Sequence, residues 1–143
     1  MNRRGFSLIE LLIVIVLIGA VTSFAIPMVR RGMGAGRVSG ARIAVTTMNA
    51  KARAIAVQRS RVVQLVVAGN EVRLVSRHPV TNAVTVIERR DLYDVYGVTV
   101  ASTRDTLQYD PRGLGLQSSA TTIAVSRGGY ADTVVINPLG GIQ

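Results

Sequence analysis

One stretch near the start of the chain limits what it can fold into: RRGFSLIELLIVIVLIGAV, residues 3–21. From Phe6 to Val29 the only charged side chain is Glu10. As a helix these 24 residues reach roughly 36 Å at 1.5 Å each, enough to cross a hydrocarbon core of about 30 Å. A carboxylate costs roughly 2.5–3.5 kcal/mol at the centre of a membrane helix, so Glu10 needs a reason. A secretory signal would use Arg3 and Arg4 as its positive region, Leu11 to Val21 as its apolar region and Ser23-Phe24-Ala25 as its cleavage site. Glu10 at the edge of the apolar region counts against that reading. A plain single-span anchor fits the length but leaves Glu10 unexplained. Arg3 and Arg4 on one side face Arg30, Arg31, Arg37 and Arg42 on the other, so charge alone does not orient it.

A third reading uses every odd residue. Two basic residues, Gly5, the aromatic Phe6, and Glu10 as the fifth residue after the glycine resemble the class III leader of type IV pilins and type II secretion pseudopilins. The resemblance implies that a prepilin peptidase/methyltransferase cuts between Gly5 and Phe6 and N-methylates Phe6. It implies a single pass through the bacterial inner membrane, N-terminus cytoplasmic and C-terminal domain periplasmic or extracytoplasmic. It implies assembly with other major and minor pseudopilins, the matching glutamate meeting a neighbour's N-terminal amine. In low dielectric such a pair attracts strongly and an unpaired partner is costly. Glu10 is therefore expected to register each subunit at the correct axial offset. Pro27 matches the family's helix-breaking proline. Loss of Arg3 and Arg4 lowers the formal side-chain charge from +9 to +7.

Beyond the apolar run, Pro27 should kink or loosen the helix, and Gly32, Gly34, Gly36 and Gly40 each cost roughly 1 kcal/mol against alanine. Residues 27–40 therefore read as a weak helix or a flexible neck, either a linker or a segment that stretches during filament packing. Helical periodicity returns with Val38, Ala41, Val45, Met48, Ala52 and Ile55 on one face, Met48 as core filler. Arg42, Asn49 and Arg53 lie away from that stripe, and the helix should end near Arg59 or Ser60. The period then changes to two. RVVQLVVAGNEVRLVS reads as a hairpin turning at Gly69-Asn70, and AVTVIERR and YGVTVAS as further strands. LQYDPRGLG contains an Asp-Pro-Arg-Gly turn, and TTIAVSRGGYADTVVINP a hairpin turning at Gly128-Gly129. The expected fold is α+β: a long N-terminal helix, membrane-spanning in its first half, packed by its second half against an antiparallel β-sheet domain. Its parts are a leader (1–5), a membrane or filament-core helix (6–29), a neck and amphipathic helix (30–60) and a β domain (61–143).

This order of elements, with YDPRG followed by two closing strands, is similar to the GspH/FimT-type minor pseudopilins. The implied function is structural: initiating or capping a short type II secretion pseudopilus. The dense Asp cluster of a calcium loop, usual in major pseudopilins, is not seen. No cysteine is present, so disulfides, thiol catalysis and cysteine metal sites are excluded. His78, the sole histidine, precedes Pro79 in a loop and reads as a surface residue. Asp91 and Asp94 beside Arg89 and Arg90 read as a solvated charged turn. With no phosphate loop, nucleophile elbow or metal-ligand spacing, neither an enzyme nor a cofactor is expected.

The rival from another class is DNA binding. Of 17 basic residues all but Lys51 are arginine, and the excess positive charge suits phosphate. Some FimT-like members are implicated in DNA uptake, through basic residues in a C-terminal tail. Here the tail is NPLGGIQ and offers no arginine. Arg112 in the turn, Arg127 beside Gly128 and then Arg104 are the remaining candidates. With 4% aromatic residues and no tryptophan, few platforms exist for base stacking.

Overall fold

A computed structural model describes residues 7–78 and 80–143, and their side chains apart from those of 26–31. The elements run α1 (Leu8–Arg59), β1 (Val63–Ala68), β2 (Glu71–Arg77), β3 (Val84–Asp91), α2 (Leu92–Tyr96), β4 (Thr99–Ser102), β5 (Thr106–Tyr109), β6 (Thr121–Arg127) and β7 (Tyr130–Ile136). They form two compact units, Met1–Gly34 and Ala35–Gln143.

In the first unit the apolar run is helical from Leu8 and exposed through to Ala25. Leu8–Ala25 has a mean hydropathy of 2.6, long and apolar enough to cross a membrane by length and composition. Its hydroxyls are satisfied within the helix: Thr22 Oγ1 donates to the Ile18 carbonyl and Ser23 Oγ to Gly19, the latter at 2.8 Å. Such back-bonding lets a hydroxyl sit in an apolar environment without losing a partner. Of the two forms expected over residues 27–40, weak helix or flexible neck, the backbone takes the helical one, through Pro27 and all four following glycines. A proline removes one N–H from the ladder, and the turns on either side can hold the helix together.

In the second unit a packing reason appears for one of those glycines. A β-carbon on Gly40 would lie 2.9 Å from Cε1 of Tyr96, so the glycine lets that ring approach the helix. At Gly36 nothing lies within 4 Å of such an atom. Gly36→Ala is therefore expected to stabilise the fold by about 0.5–1 kcal/mol by restricting the unfolded chain. The check is the thermal midpoint, which should rise for Gly36→Ala and not for Gly40→Ala.

The stripe is buried as its spacing requires: Val38, Ala41, Val45, Met48 and Ala52 are all inaccessible, with Ala44 and Ala56 beside them and Ile55 only partly covered. Two sheets, not one, supply the opposite wall. The first is antiparallel, in the order β3-β2-β1-β5, and the second has the order β4-β6-β7. Val63, Leu65 and Val67 of β1 and Ile123 and Val125 of β6 are buried on alternate positions, the pattern of strands with one face on a core. The first hairpin turns at Gly69-Asn70 as its sequence indicates, with Ala68 opposite Glu71.

Two local readings are corrected. Leu92–Tyr96 is a short helix and strand β4 begins only at Thr99, so YGVTVAS is a helix end, a turn and a strand. Asp91 is the N-cap of α2: its Oδ1 accepts from the backbone N–H groups of Tyr93 at 2.8 Å and Asp94 at 3.1 Å. An Asp at that position satisfies orphan amide donors, which a count of charges cannot reveal. Asn70 then joins the two sheets, its carbonyl accepting from Leu92 N at 2.9 Å and its side chain from Val100 N at 3.0 Å.

Asn49 and Arg53 also depart from expectation. Asn49 is 1% exposed. It accepts from the Tyr109 hydroxyl and donates through Nδ2 to the Gly140 carbonyl at 3.1 Å. Arg53 Nε donates to the Gly113 carbonyl at 2.9 Å. Helix α1 is thus covered over more than its apolar stripe, and the extra coverage is the Asp110–Gly113 turn and the C-terminal tail. The tail folds back through a turn in which Gly140 N donates to the Asn137 carbonyl, with Gly140 at φ +89° against the Tyr109 ring.

Candidate functional site

The first candidate is the start of α1. Gly5 and Phe6, the expected processing site, lie outside the described residues. Ser7 caps the helix: its Oγ accepts from Glu10 N at 3.2 Å, and its carbonyl accepts from Leu11 N at 3.2 Å. Ser7 and Glu10 stand at the spacing of a capping box, in which the glutamate side chain would return a bond to the Ser7 amide. Only the serine half is made. The Glu10 carboxylate is exposed and has no side-chain or backbone partner among the described residues. The sequence reading missed the cap, although the SLIE tetrapeptide carries its signal. An acidic residue in the first turn also complements the helix dipole, worth about 0.3–1 kcal/mol. Neither role consumes the carboxylate, which no described residue neutralises. Pro27, the other residue singled out for assembly, lies within helical backbone.

The second candidate is the set of arginines considered for phosphate contact. Arg104 lies between β4 and β5 and donates to Ser119 Oγ at 3.1 Å. Arg112 sits in the turn, its Nε 2.9 Å from Asp110 Oδ2. Asp110 Oδ1 meanwhile accepts from the amides of Arg112 and Leu114, each at 2.9 Å. The Leu114 amide, with the Arg112 guanidinium, holds the Asp110 carboxyl below its ordinary range. Arg127, at the end of β6, donates to the Tyr96 carbonyl at 2.6 Å and lies over Gly97, where a β-carbon would meet its Nη1. It therefore closes the C-terminus of α2. The three are not brought together. Thr99 pairs with Ser126 and Ser102 with Ile123, so Arg127 and Arg104 flank opposite ends of one strand pair. That is a separation of about 13 Å along the strands. Arg112 belongs to the turn packed on α1 instead.

Among the described residues no three His, Asp or Glu side chains gather as a metal would need. His78 is half-buried, and its Nδ1 accepts from the amides of Val80 and Thr81, each at 3.3 Å.

Comparison with known proteins bears on both candidates. The prokaryotic N-terminal methylation motif matches residues 1–26, covering Gly5, Phe6 and Glu10. The type II transport protein GspH matches residues 44–140, nearly the whole of the two-sheet unit. The chain belongs to the GspH family. The GspH fold here is similar to crystal structures of the type IV minor pilin FimU of Pseudomonas aeruginosa in two space groups. One is 17% identical with a TM-score of 0.61, covering 76% of this chain and 87% of that one. The other is 16% identical with a TM-score of 0.58, covering 73% and 90%. At that identity the likeness establishes the pilin fold alone. No curated protein sequence matches the chain. A GspH-family chain with an N-terminal methylation motif is a pilin-like subunit, and neither similarity is to an enzyme.

Proposed function

We propose that this chain is a minor pseudopilin, a structural subunit that helps initiate or cap a short type II secretion pseudopilus. The observation carrying the reading is the Glu10 carboxylate, exposed on an apolar helix, without a partner among the described residues and inside the methylation motif. After cleavage between Gly5 and Phe6, the subunit is held in the inner membrane by residues 6–29, with its β domain outside the cytoplasm. Phe6 then presents a methylated amine, and Glu10 pairs with the amine of a neighbour. Desolvation makes each group costly alone and favourable together, so the pair selects docked subunits over solitary ones. No step requires catalysis by this chain. The partners are a prepilin peptidase, which removes residues 1–5, and other pseudopilins.

The processing step is tested by Gly5→Val, expected to leave the full-length precursor as the only band when co-expressed with a prepilin peptidase. Cleavage of that variant between residues 5 and 6 would refute the leader assignment.

The likeness to a minor pilin favours one second reading, a minor subunit of a type IV pilus. A DNA-uptake role within it is weakened by Arg104, Arg112 and Arg127, each engaged in the fold and set apart from the others. Deleting the gene separates the two, since loss of protein export supports the first and loss of surface pili the second.

A further inference from the structure

A cavity of about 560 Å³ opens where β1 begins and β2 and β5 end. That is within the range of sites that take small molecules or peptide side chains. Gln64 and Gln108, paired across β1 and β5, contribute amides to it from the alternate positions whose neighbours Val63 and Leu65 face the core. Arg61, Arg77 and His78 line it as well, and no carboxylate does.

Two independent features single this cavity out. The first is charge. Arg42, Arg73, Arg90 and Arg112 all have a carboxylate partner, while Arg53, Arg104 and Arg127 donate to carbonyls or a hydroxyl. Arg37, Arg59, Arg61, Arg77 and Arg89 have neither among the described residues, and of these five Arg61 and Arg77 share one cavity. Val63 pairs with Ser76, so they stand just beyond one rung of the ladder. The second feature is backbone strain. Among the described residues only Ser60, at φ +47°, and Asn82, at φ +55°, are non-glycines in the left-handed region, and both line this cavity. Ser60 ends α1 in the geometry where glycine is usual: Arg61 N donates to the Ala56 carbonyl at 3.1 Å and Ser60 N to Val57 at 3.2 Å. Left-handed backbone with a side chain costs of order 1 kcal/mol, and such strain concentrates at functional sites. The hydroxyl of Ser60 and the side-chain amide of Asn82 make no hydrogen bond within the described residues, although the Asn82 backbone N–H donates to the His78 carbonyl at 3.0 Å.

We propose that this cavity docks an acidic segment of a partner protein, its carboxylates taken by Arg61 and Arg77 and its backbone or side-chain polar groups by the surrounding amides. Guanidiniums bind carboxylates through charge-assisted, often bidentate bonds. A second copy of this chain is a poor occupant, since it carries the same net positive charge. Duplex DNA is also a poor one, since its evenly spaced phosphates call for a row of cations along a surface and not a concave pair floored by amides.

The test is fluorescence anisotropy of labelled hexaglutamate with the full processed chain in detergent, beside a short DNA duplex. Hexaglutamate is expected to bind, Arg77→Ala to weaken it about tenfold or more, and Arg89→Ala, an exposed arginine away from the cavity, to leave it unchanged. Ser60→Gly and Asn82→Gly should keep or raise the thermal midpoint while weakening binding, which separates loss of the side chains from loss of the fold. Equal weakening by Arg89→Ala, full affinity in both glycine variants, or binding of the duplex but not the peptide would each overturn the proposal.

Discussion

Asn49→Ala is expected to lower the stability of the Ala35–Gln143 unit by about 2–3 kcal/mol, far more than its place outside the apolar stripe suggests. The side chain takes the Tyr109 hydroxyl and gives a bond to Gly140. Its removal strands the buried Tyr109 hydroxyl and leaves the Gly140 carbonyl only the longer bond from Arg53 Nη1, 3.4 Å, and an unsatisfied buried group costs about 1–3 kcal/mol. Urea denaturation of a fragment beginning at Ala35 would measure the loss, and a change under 0.5 kcal/mol would contradict the account. The same network predicts an alkaline limit. Burial pushes the Tyr109 hydroxyl up from 10.0 to about 12, with the positive charge of Arg53 opposing. Below pH 10 both folded and unfolded chains keep this proton, and stability is flat. Between pH 10 and about 12 the unfolded chain releases it and the folded chain does not, so stability falls as pH rises. Tyr109→Phe should abolish that part of the slope.

Glu10→Gln is expected to leave cleavage and methylation intact while reducing incorporation into the filament about a hundredfold. Breaking a buried ion pair by removing one partner costs about 3–5 kcal/mol, since the other charge is left in low dielectric. A helix cap alone predicts something different. If Glu10 served only the first turn, its loss would cost about 0.3–1 kcal/mol, and Ser7→Ala would do comparable harm. Comparing the two variants by immunoblot of sheared filaments separates the readings: Ser7→Ala should assemble and Glu10→Gln should not. Normal assembly of Glu10→Gln would end the registration hypothesis.

The parts of the fold legible in the sequence are those in which one periodicity holds over many residues. The apolar run, the stripe from Val38 to Ala52 and the hairpin at Gly69-Asn70 are of this kind. What escaped depends on contacts between distant segments. Asn49 reads as a solvent-facing residue until Tyr109 and Gly140 arrive, sixty and ninety-one positions later. Leu92–Tyr96 is too short for a helical period to register, and its cap, Asp91, looks like any charge in a turn. The division of the strands into two sheets rests on pairing, which alternation does not encode. At the candidate site the leader residues were readable as a motif, but the serine cap beneath Glu10 went unnoticed beside the louder apolar signal. The basic cavity had no linear signature at all, since Arg61 and Arg77 become neighbours only through strand register.

The backward fold of the C-terminal tail has a consequence in time. Asn49 and Arg53 stand on a helix that is made before the strands, and Gly140, which both bind, is made 91 and 87 positions after them. Closure over so long a loop is entropically costly and slow compared with forming a helix turn. The helix therefore waits, with its polar flank unclothed, until the segment around Gly140 has been made. A chain interrupted before Gly140 has its apolar helix and all seven strands among the described residues, but no latch to hold the flank.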